Sequence, residues 1–302
     1  MIPVLDWQRF LSGDAAGFVA DLGRACRGPG FFLLTNHAIP TALTDGIFGA
    51  AERFFALPEA QKAPLDIRRN PHNRGWVPGG SESLDAASGQ VDRKEAFNVG
   101  LDLAPDDPRI LAGEPFRGVN LWPALDGFDA ACLAYYDAAW RQGTALMGAV
   151  ARDLGLSPAH FDGAFRAPLA TLRLLHYPPG GGGIGAGAHT DYGALTLLAT
   201  DGEPGLQVLP RGGEWTDVPH LEEALVVNIG DCLMRWTNDI YASTPHRVRP
   251  PRRQRRSVAF FLDPDPDAEI AALPGTGAPV YPPVTGAAYL RSRLEATYSE
   301  DK

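Results

Sequence analysis

The chain has 302 residues, 45% of them hydrophobic and 21% charged, with a formal net charge of −9. This is the composition of an ordinary globular protein, and its acidic balance speaks against recruiting nucleic acid or an anionic membrane through a basic field. No run of eighteen apolar residues occurs, which excludes a helical membrane span, and MIPVLDWQRF lacks the basic start and apolar stretch of a signal peptide, so a cytoplasmic protein is expected.

Asp14 to Arg27 carries Phe18, Val19, Leu22 and Cys26 at helical spacing and stops at Gly28-Pro29-Gly30. Phe31 to Thr35 (FFLLT) reads as a buried strand, and from Thr41 onward Ile47, Ala51, Phe54 and Phe55 share a helical face. Residues 65–124 are rich in Pro, Gly and polar residues, and RGWVPGGSES (74–83) predicts an ordered loop whose Trp76 either faces substrate or plugs the core. Phe128, Cys132, Tyr135, Ala139, Leu146, Val150 and Leu154 mark a long amphipathic helix, and Ser157-Pro158 opens a short one. Cys26, Cys132 and Cys232 form no CxxC pair and predict neither a disulfide framework nor a thiolate metal site.

Beyond residue 170 the texture changes. Short apolar runs at 171–177, 194–200, 206–209, 224–229, 244–248 and 257–262 are separated by Gly, Pro, Asp and Asn, the pattern of an antiparallel sandwich or barrel. A helix is expected near Ala287 to Tyr298. The basic tract RVRPPRRQRR (247–256) reads as a solvated hairpin turn rather than a nucleic-acid patch.

The run GGGGIGAGAHTDYGALTLL (180–198) admits two readings. Gly180, Gly182 and Gly185 satisfy GxGxxG, but a phosphate loop needs a helix after it. The next residues, HTDYGALTLLAT, include β-branched side chains and a glycine, with no GK[ST]. The glycines are instead expected to form a flexible connection near the mouth of a pocket, moving with substrate. His189 and Asp191, at i and i+2 of a strand, would point to one face and offer an imidazole and a carboxylate to a metal, though such a pair is also often a simple polar contact. His246, in the strand-like YASTPHRV and 55 positions beyond Asp191, is the best third ligand, on a strand returning beside the first. His37, His72, His160, His176 and His220 sit where they read as surface or structural residues. Two histidines and one carboxylate leave coordination positions open, which suits non-haem Fe(II) oxygen chemistry better than a closed zinc site. Arg255 and Ser257 share a strand face and would bind a carboxylate from across a hairpin, with Tyr177 adding a phenolic hydrogen bond. By the same alternation Arg173 and Leu175 share the face of Tyr177, and Phe261 that of Arg255. Arg173 would meet an anionic substrate group or form a structural ion pair. Arg74, Trp76, Phe97 and Asn98 are further candidates for the lining of a substrate pocket.

Taken in order, these segments resemble the Fe(II)/2-oxoglutarate-dependent dioxygenases of the isopenicillin N synthase-like family. The likeness runs through IPVLDW, GFFLLTNHAIP, RGWVPGGSE, DRKEAFNVG, NLWP, LRLLHYPP, AHTDYGALTLL, GLQVL, VVNIGDCLMRWTND, STPHRV and RRSVAFFL, over almost the whole chain. It implies a mainly β protein with flanking helices: a double-stranded β-helix, or jelly roll, at 166–265, a mixed α/β N-terminal region at 1–165 packing on it, and a C-terminal loop and helix at 266–302. It also implies Fe(II) on His189, Asp191 and His246, and 2-oxoglutarate on Arg255 and Ser257 with Tyr177 nearby. O2 is then consumed, and a small molecule of the kind found in secondary metabolism is oxidised with release of succinate and CO2, by hydroxylation, desaturation or ring closure. Many members carry Asn two residues before that tyrosine, where Leu175 stands here, so Leu175 would only shape the pocket. A ring-forming iron oxidase without 2-oxoglutarate, a silent binding relative and a zinc hydrolase are the competing readings. No obligate protein partner is indicated.

Overall fold

The computed structural model describes residues 1–84, 91–180 and 184–298. In chain order the strands are β1 (Val4–Asp6), β2 (Phe31–Thr35), β3 (Gly75–Val77), β4 (Glu95–Gly100), β5 (Thr171–Tyr177), β6 (Ala186–His189), β7 (Leu195–Thr200), β8 (Leu206–Val208), β9 (Thr216–Asp217), β10 (Leu225–Ile229), β11 (His246–Val248), β12 (Arg255–Leu262), β13 (Glu269–Ile270) and β14 (Val284–Thr285). The α-helices are α1 (Trp7–Leu11), α2 (Ala15–Arg27), α3 (Thr41–Phe55), α4 (Glu59–Lys62), α5 (Pro108–Leu111), α6 (Phe128–Asp153), α7 (Asp231–Trp236) and α8 (Gly286–Tyr298).

Strand alternation divides the core into two layers. An eight-stranded sheet, ordered β1-β2-β10-β7-β12-β5-β4-β3, faces a four-stranded sheet, β6-β11-β8-β9. On its outer face Phe32, Leu34, Leu172, Leu174, Leu195, Leu197, Val227, Val258 and Phe260 join the residues of α2, α3 and α6 in the main core. Its inner face sends Phe31, Leu33, Leu175, Val226 and Ala259 toward Ala186, Leu206, Val208 and Val248 of the small sheet. A sheet buried on both faces explains why its strands read as continuous apolar runs rather than as alternation. The architecture is the double-stranded β-helix fold with flanking helices.

Several local expectations change. The stretch 65–124 is not all loop: β3 and β4 pair with each other and extend the large sheet beyond β5, while β1 and β2 extend its opposite edge. The N-terminal region therefore completes a sheet as well as packing on it. Ser157-Pro158 opens only a turn, followed by a 3-10 turn at Asp162–Ala164. His246 and Arg255 do not share a hairpin, since β11 and β12 lie in opposing sheets and the basic tract crosses between them. All three cysteines are buried and free, as small apolar residues would be. No helix among the described residues is long and apolar enough to cross a membrane.

The glycine run divides. Residues 181–183, and with them much of the expected mobile connection, lie outside the described residues, whereas Ala186 and Gly187 already belong to β6. Gly185 lies so close to β11 that a Cβ would stand 2.8 Å from the Val248 carbonyl. Its role is close approach of two backbones.

Candidate active site

His189 is the last residue of β6, and His246, the first of β11, is its direct partner in the antiparallel ladder. The two rings lie 4.3 Å apart between centroids. Asp191 comes to them differently from the expected strand alternation, because the chain has left β6 by Thr190. The turn that carries it is docked on the start of α7, where the Asp231 amide donates to the Asp191 carbonyl at 2.8 Å. Asp191 Oδ1 then stands 3.6 Å from His246 Nε2 and 3.9 Å from His189 Nε2.

Hydrogen bonding fixes which atoms face one another. His189 Nδ1 donates to the Gly187 carbonyl (2.6 Å) and His246 Nδ1 to the Thr244 carbonyl (3.2 Å), which turns both Nε2 atoms toward Asp191. On Asp191, Oδ2 accepts from Thr196 Oγ1 (2.6 Å) and from Asn228 Nδ2 (2.7 Å), which turns Oδ1 toward the imidazoles. Burial and the neighbouring His246 push the His189 imidazole down to about 3, so it is neutral near pH 7. Burial works to raise Asp191, but His246, His189 and the Thr196 and Asn228 donors outweigh it and hold the carboxyl below its ordinary range. One atom from each of the three residues thus lies within 4.8 Å of the others, and the neutral His189 imidazole and the Asp191 carboxylate are acceptors there. A divalent cation is what this donor set fits, with the outer ring of donors that metal sites use.

The three line a cavity of about 150 Å³ between the sheets. At one end Arg255 and Ser257 point inward from β12, with Arg255 only 1% exposed. Its Nη1 donates to Ser257 Oγ (3.3 Å), its Nε donates to the Glu203 carbonyl (3.2 Å), and its guanidinium lies 4.9 Å from the Tyr177 ring centroid. Among the described residues no carboxylate of the chain pairs with it. A buried guanidinium without a counter-anion fits a bound carboxylate. Tyr177 serves it with a ring face. Leu175, Leu206 and Val248 add apolar lining to the cavity.

At the other end the predicted substrate residues part company. Arg173, Leu175, Phe261 and Asn98 line the cavity. Arg74, Trp76 and Phe97 do not. Trp76 and Phe97 belong to the outer core, where the indole Nε1 donates to Glu95 (2.9 Å). Arg74 is buried against backbone, donating to the His72 carbonyl at 2.9 Å. Arg173 makes an ion pair with buried Glu82 at 2.6 Å. Thr196, Asn228, Asp231, Glu82, Lys94 and Asp263 escaped the sequence reading. Asn228 in VVNI and Thr196 in LTLL are polar within buried strands, and that contrast was the available signal. Asp263 lines the cavity just past β12, and burial together with the Asp191 charge raises its carboxyl to about 8.

A jelly roll with two histidines and an aspartate beside a buried arginine defines the non-haem iron oxygenase class. Residues 2–125 match the family described as non-haem dioxygenase in morphine synthesis N-terminal, and residues 168–264 match the 2OG-Fe(II) oxygenase superfamily. The 2-oxoglutarate-Fe(II) type oxidoreductase hxnY of Emericella nidulans is 35% identical over 98% of this chain and 90% of its own. The 2-oxoglutarate-dependent dioxygenase citB of Monascus ruber is 38% identical over 91% of this chain and 88% of its own. A full-length Neurospora crassa protein, solved in complex with alpha-KG, superposes with a TM-score of 0.86 at 32% identity, covering 98% of this chain and 96% of that one. The same Neurospora protein has also been solved with alpha-KG and thymine. The chain belongs to the 2OG-Fe(II) oxygenase superfamily. It is a 2-oxoglutarate-dependent dioxygenase, with Fe(II) and 2-oxoglutarate as its cofactor and co-substrate.

Proposed function

We propose that this dioxygenase hydroxylates an unactivated C–H bond of a small molecule, with Fe(II) held by His189, Asp191 and His246, and with Arg255 and Ser257 gripping the distal carboxylate of 2-oxoglutarate. The supporting observation is the convergence of the two Nε2 atoms and Asp191 Oδ1 in the same cavity that Arg255 enters as an unmatched buried cation. In balance, 2-oxoglutarate, O2 and R–H give succinate, CO2 and R–OH. Bound Fe(II) supplies the reduction of O2 that couples the two oxidations. The chain supplies position. Arg255 and Ser257 anchor one end of 2-oxoglutarate, the apolar wall of Leu206 and Val248 excludes water along it, and Arg173, Asn98 and Phe261 flank the space left for substrate. Small-molecule binding in that space accords with the thymine complex of the Neurospora relative.

The test is substrate-triggered succinate formation by the Fe(II)-loaded protein, with the product analysed by mass. One added oxygen atom is expected, and loss of two hydrogens would mean desaturation or ring closure instead. His246→Ala should stop turnover; unchanged turnover would remove this site from the reaction.

A further inference from the structure

At the substrate end of the cavity Arg173 and Lys94 are already matched. Glu82 pairs with Arg173 (2.6 Å) and with Lys94 (3.2 Å), and Lys94 also pairs with Asp92, whose other oxygen accepts from the Gly187 amide at 2.9 Å. Two carboxylates thus answer two cations within the wall. An ionised carboxylate of a substrate would have to displace Glu82, a buried acid, from the Arg173 guanidinium.

One polar atom on that wall has no partner among the described residues. Asn98 is fully buried in the middle of β4, directly across from Arg173 in the ladder, and it lines the cavity while its neighbours Phe97 and Val99 face the outer core. Its Nδ2 donates to Asn73 Oδ1 (3.2 Å), which sets the orientation of the amide, and its Oδ1 is without a hydrogen-bond partner. Asn73 is itself fixed. It sits in the left-handed region at φ 60°, and the buried Arg74 donates to the carbonyls on either side of that turn, at 2.9 Å to His72 and 3.3 Å to Asn73. Arg74 thus positions Asn73, which positions Asn98. A buried acceptor left unmatched is rare in a folded interior, and in a binding cavity it marks where a ligand donor goes.

We infer that Asn98 is a specificity-determining residue that accepts a hydrogen bond from an N–H or O–H group of the substrate, and that the substrate is a neutral small molecule bearing such a donor rather than a carboxylate. This rests on the proposal that the cavity is where a small molecule is oxidised. Of the two expectations for Arg173, it takes the structural ion pair over the anionic substrate group.

The experiment uses the Fe(II)-loaded full chain with 2-oxoglutarate and a panel of neutral lactams, phenols and alcohols, thymine among them. Each is paired with its N- or O-methyl derivative, and small carboxylates are run alongside. The readout is succinate released with and without each compound. Compounds that trigger succinate should carry the free donor, and methylation should lower kcat/KM at least about tenfold in the wild type, as sites built to pair a polar group discriminate. In Asn98→Leu that penalty should vanish. Asn98→Asp, which keeps an acceptor that Asn73 can hold by turning its Nδ2 toward it, should retain it, so a leucine variant that fails to fold does not end the test. Carboxylates as the best triggers, or an unchanged methylation penalty in folded Asn98→Leu, would overturn the inference. A panel that triggers nothing while slow substrate-free conversion of 2-oxoglutarate persists would also overturn it and leave the iron and 2-oxoglutarate reading standing. Loss of that background conversion as well would count against the site itself.

Discussion

With Asp191 holding Fe(II) as proposed, Asn228 supports a ligand rather than a reactant, and its replacement should weaken metal binding. Its Nδ2 donates to Asp191 Oδ2 at 2.7 Å, and Thr196 Oγ1 donates to the same oxygen at 2.6 Å. The other oxygen, Oδ1, is thereby presented to the two imidazoles at 3.6 and 3.9 Å. Asn228→Leu keeps the side-chain volume and removes one donor from a carboxylate in the interior. A hydrogen bond to an ionised group contributes about 1.5–3 kcal/mol. At about 1.4 kcal/mol per decade that is roughly a 10–100-fold loss of affinity, the range typical for such supporting residues. Anaerobic calorimetric titration with Fe(II) should show it, with a melting curve of the metal-free variant as the control for folding. Thr196→Val should behave alike. The double variant should lose more than the product of the singles, because either donor alone still holds the rotamer. A folded Asn228→Leu protein with a dissociation constant within about twofold of wild type would refute this reasoning.

Arg255→Gln should raise the 2-oxoglutarate concentration needed for half-maximal turnover by about 10–100-fold, since a carboxylate would lose its charge-assisted contact, while Fe(II) affinity measured without 2-oxoglutarate stays unchanged. Loss of both would mean that Arg255 supports the fold instead. Asp263 governs a pH effect. Its carboxyl is raised from an ordinary 3.8 to about 8, so the native state holds a proton that the unfolded chain has released, and stability should fall as pH rises across that window. Burial of the charge sets an upper bound of roughly 6 kcal/mol, and Asp263→Asn should remove the slope in urea unfolding of the metal-free protein between about pH 7 and 8.5, above the range where the unfolded chain's histidines titrate. An identical slope in the variant would show that another group carries it. Gly185→Ala places a Cβ 2.8 Å from the Val248 carbonyl and should cost about 1–3 kcal/mol in the same unfolding assay; no loss would mean that β6 and β11 separate freely.

Much of the site was legible because its chemistry needs residue types that are conspicuous where they stand. His189-x-Asp191, His246 and Arg255-x-Ser257 are ligand-type residues at strand spacing or beside strand-like runs, and the long elements α2, α3 and α6 carry their own period or terminators. The supporting residues were legible in principle by their contrast with apolar neighbours, but a lone Asn228 or Thr196 says nothing until its partner is known. Arg74 and Phe97 do not reach the cavity and Trp76 takes the core side of its two readings, because the faces of β3 and β4 are set by their pairing with each other and with β5, far along the chain.

What the sequence by itself determined was the donor set, its order along the chain, and a β-rich second half: these derive from residue chemistry and local spacing, which act over a few positions. Tertiary structure alone decided which atoms meet. Asp191 reaches the imidazoles through a turn docked on α7 rather than by strand alternation, and Arg255 reaches the same cavity from the sheet opposite His246. Glu82, Lys94 and Asp92 neutralise Arg173's wall, and Asn98 is left as its unmatched acceptor. Those outcomes depend on sheet pairing between residues far apart in sequence, and on burial, which sets whether a polar group must find a partner inside the protein or leave one place for a ligand.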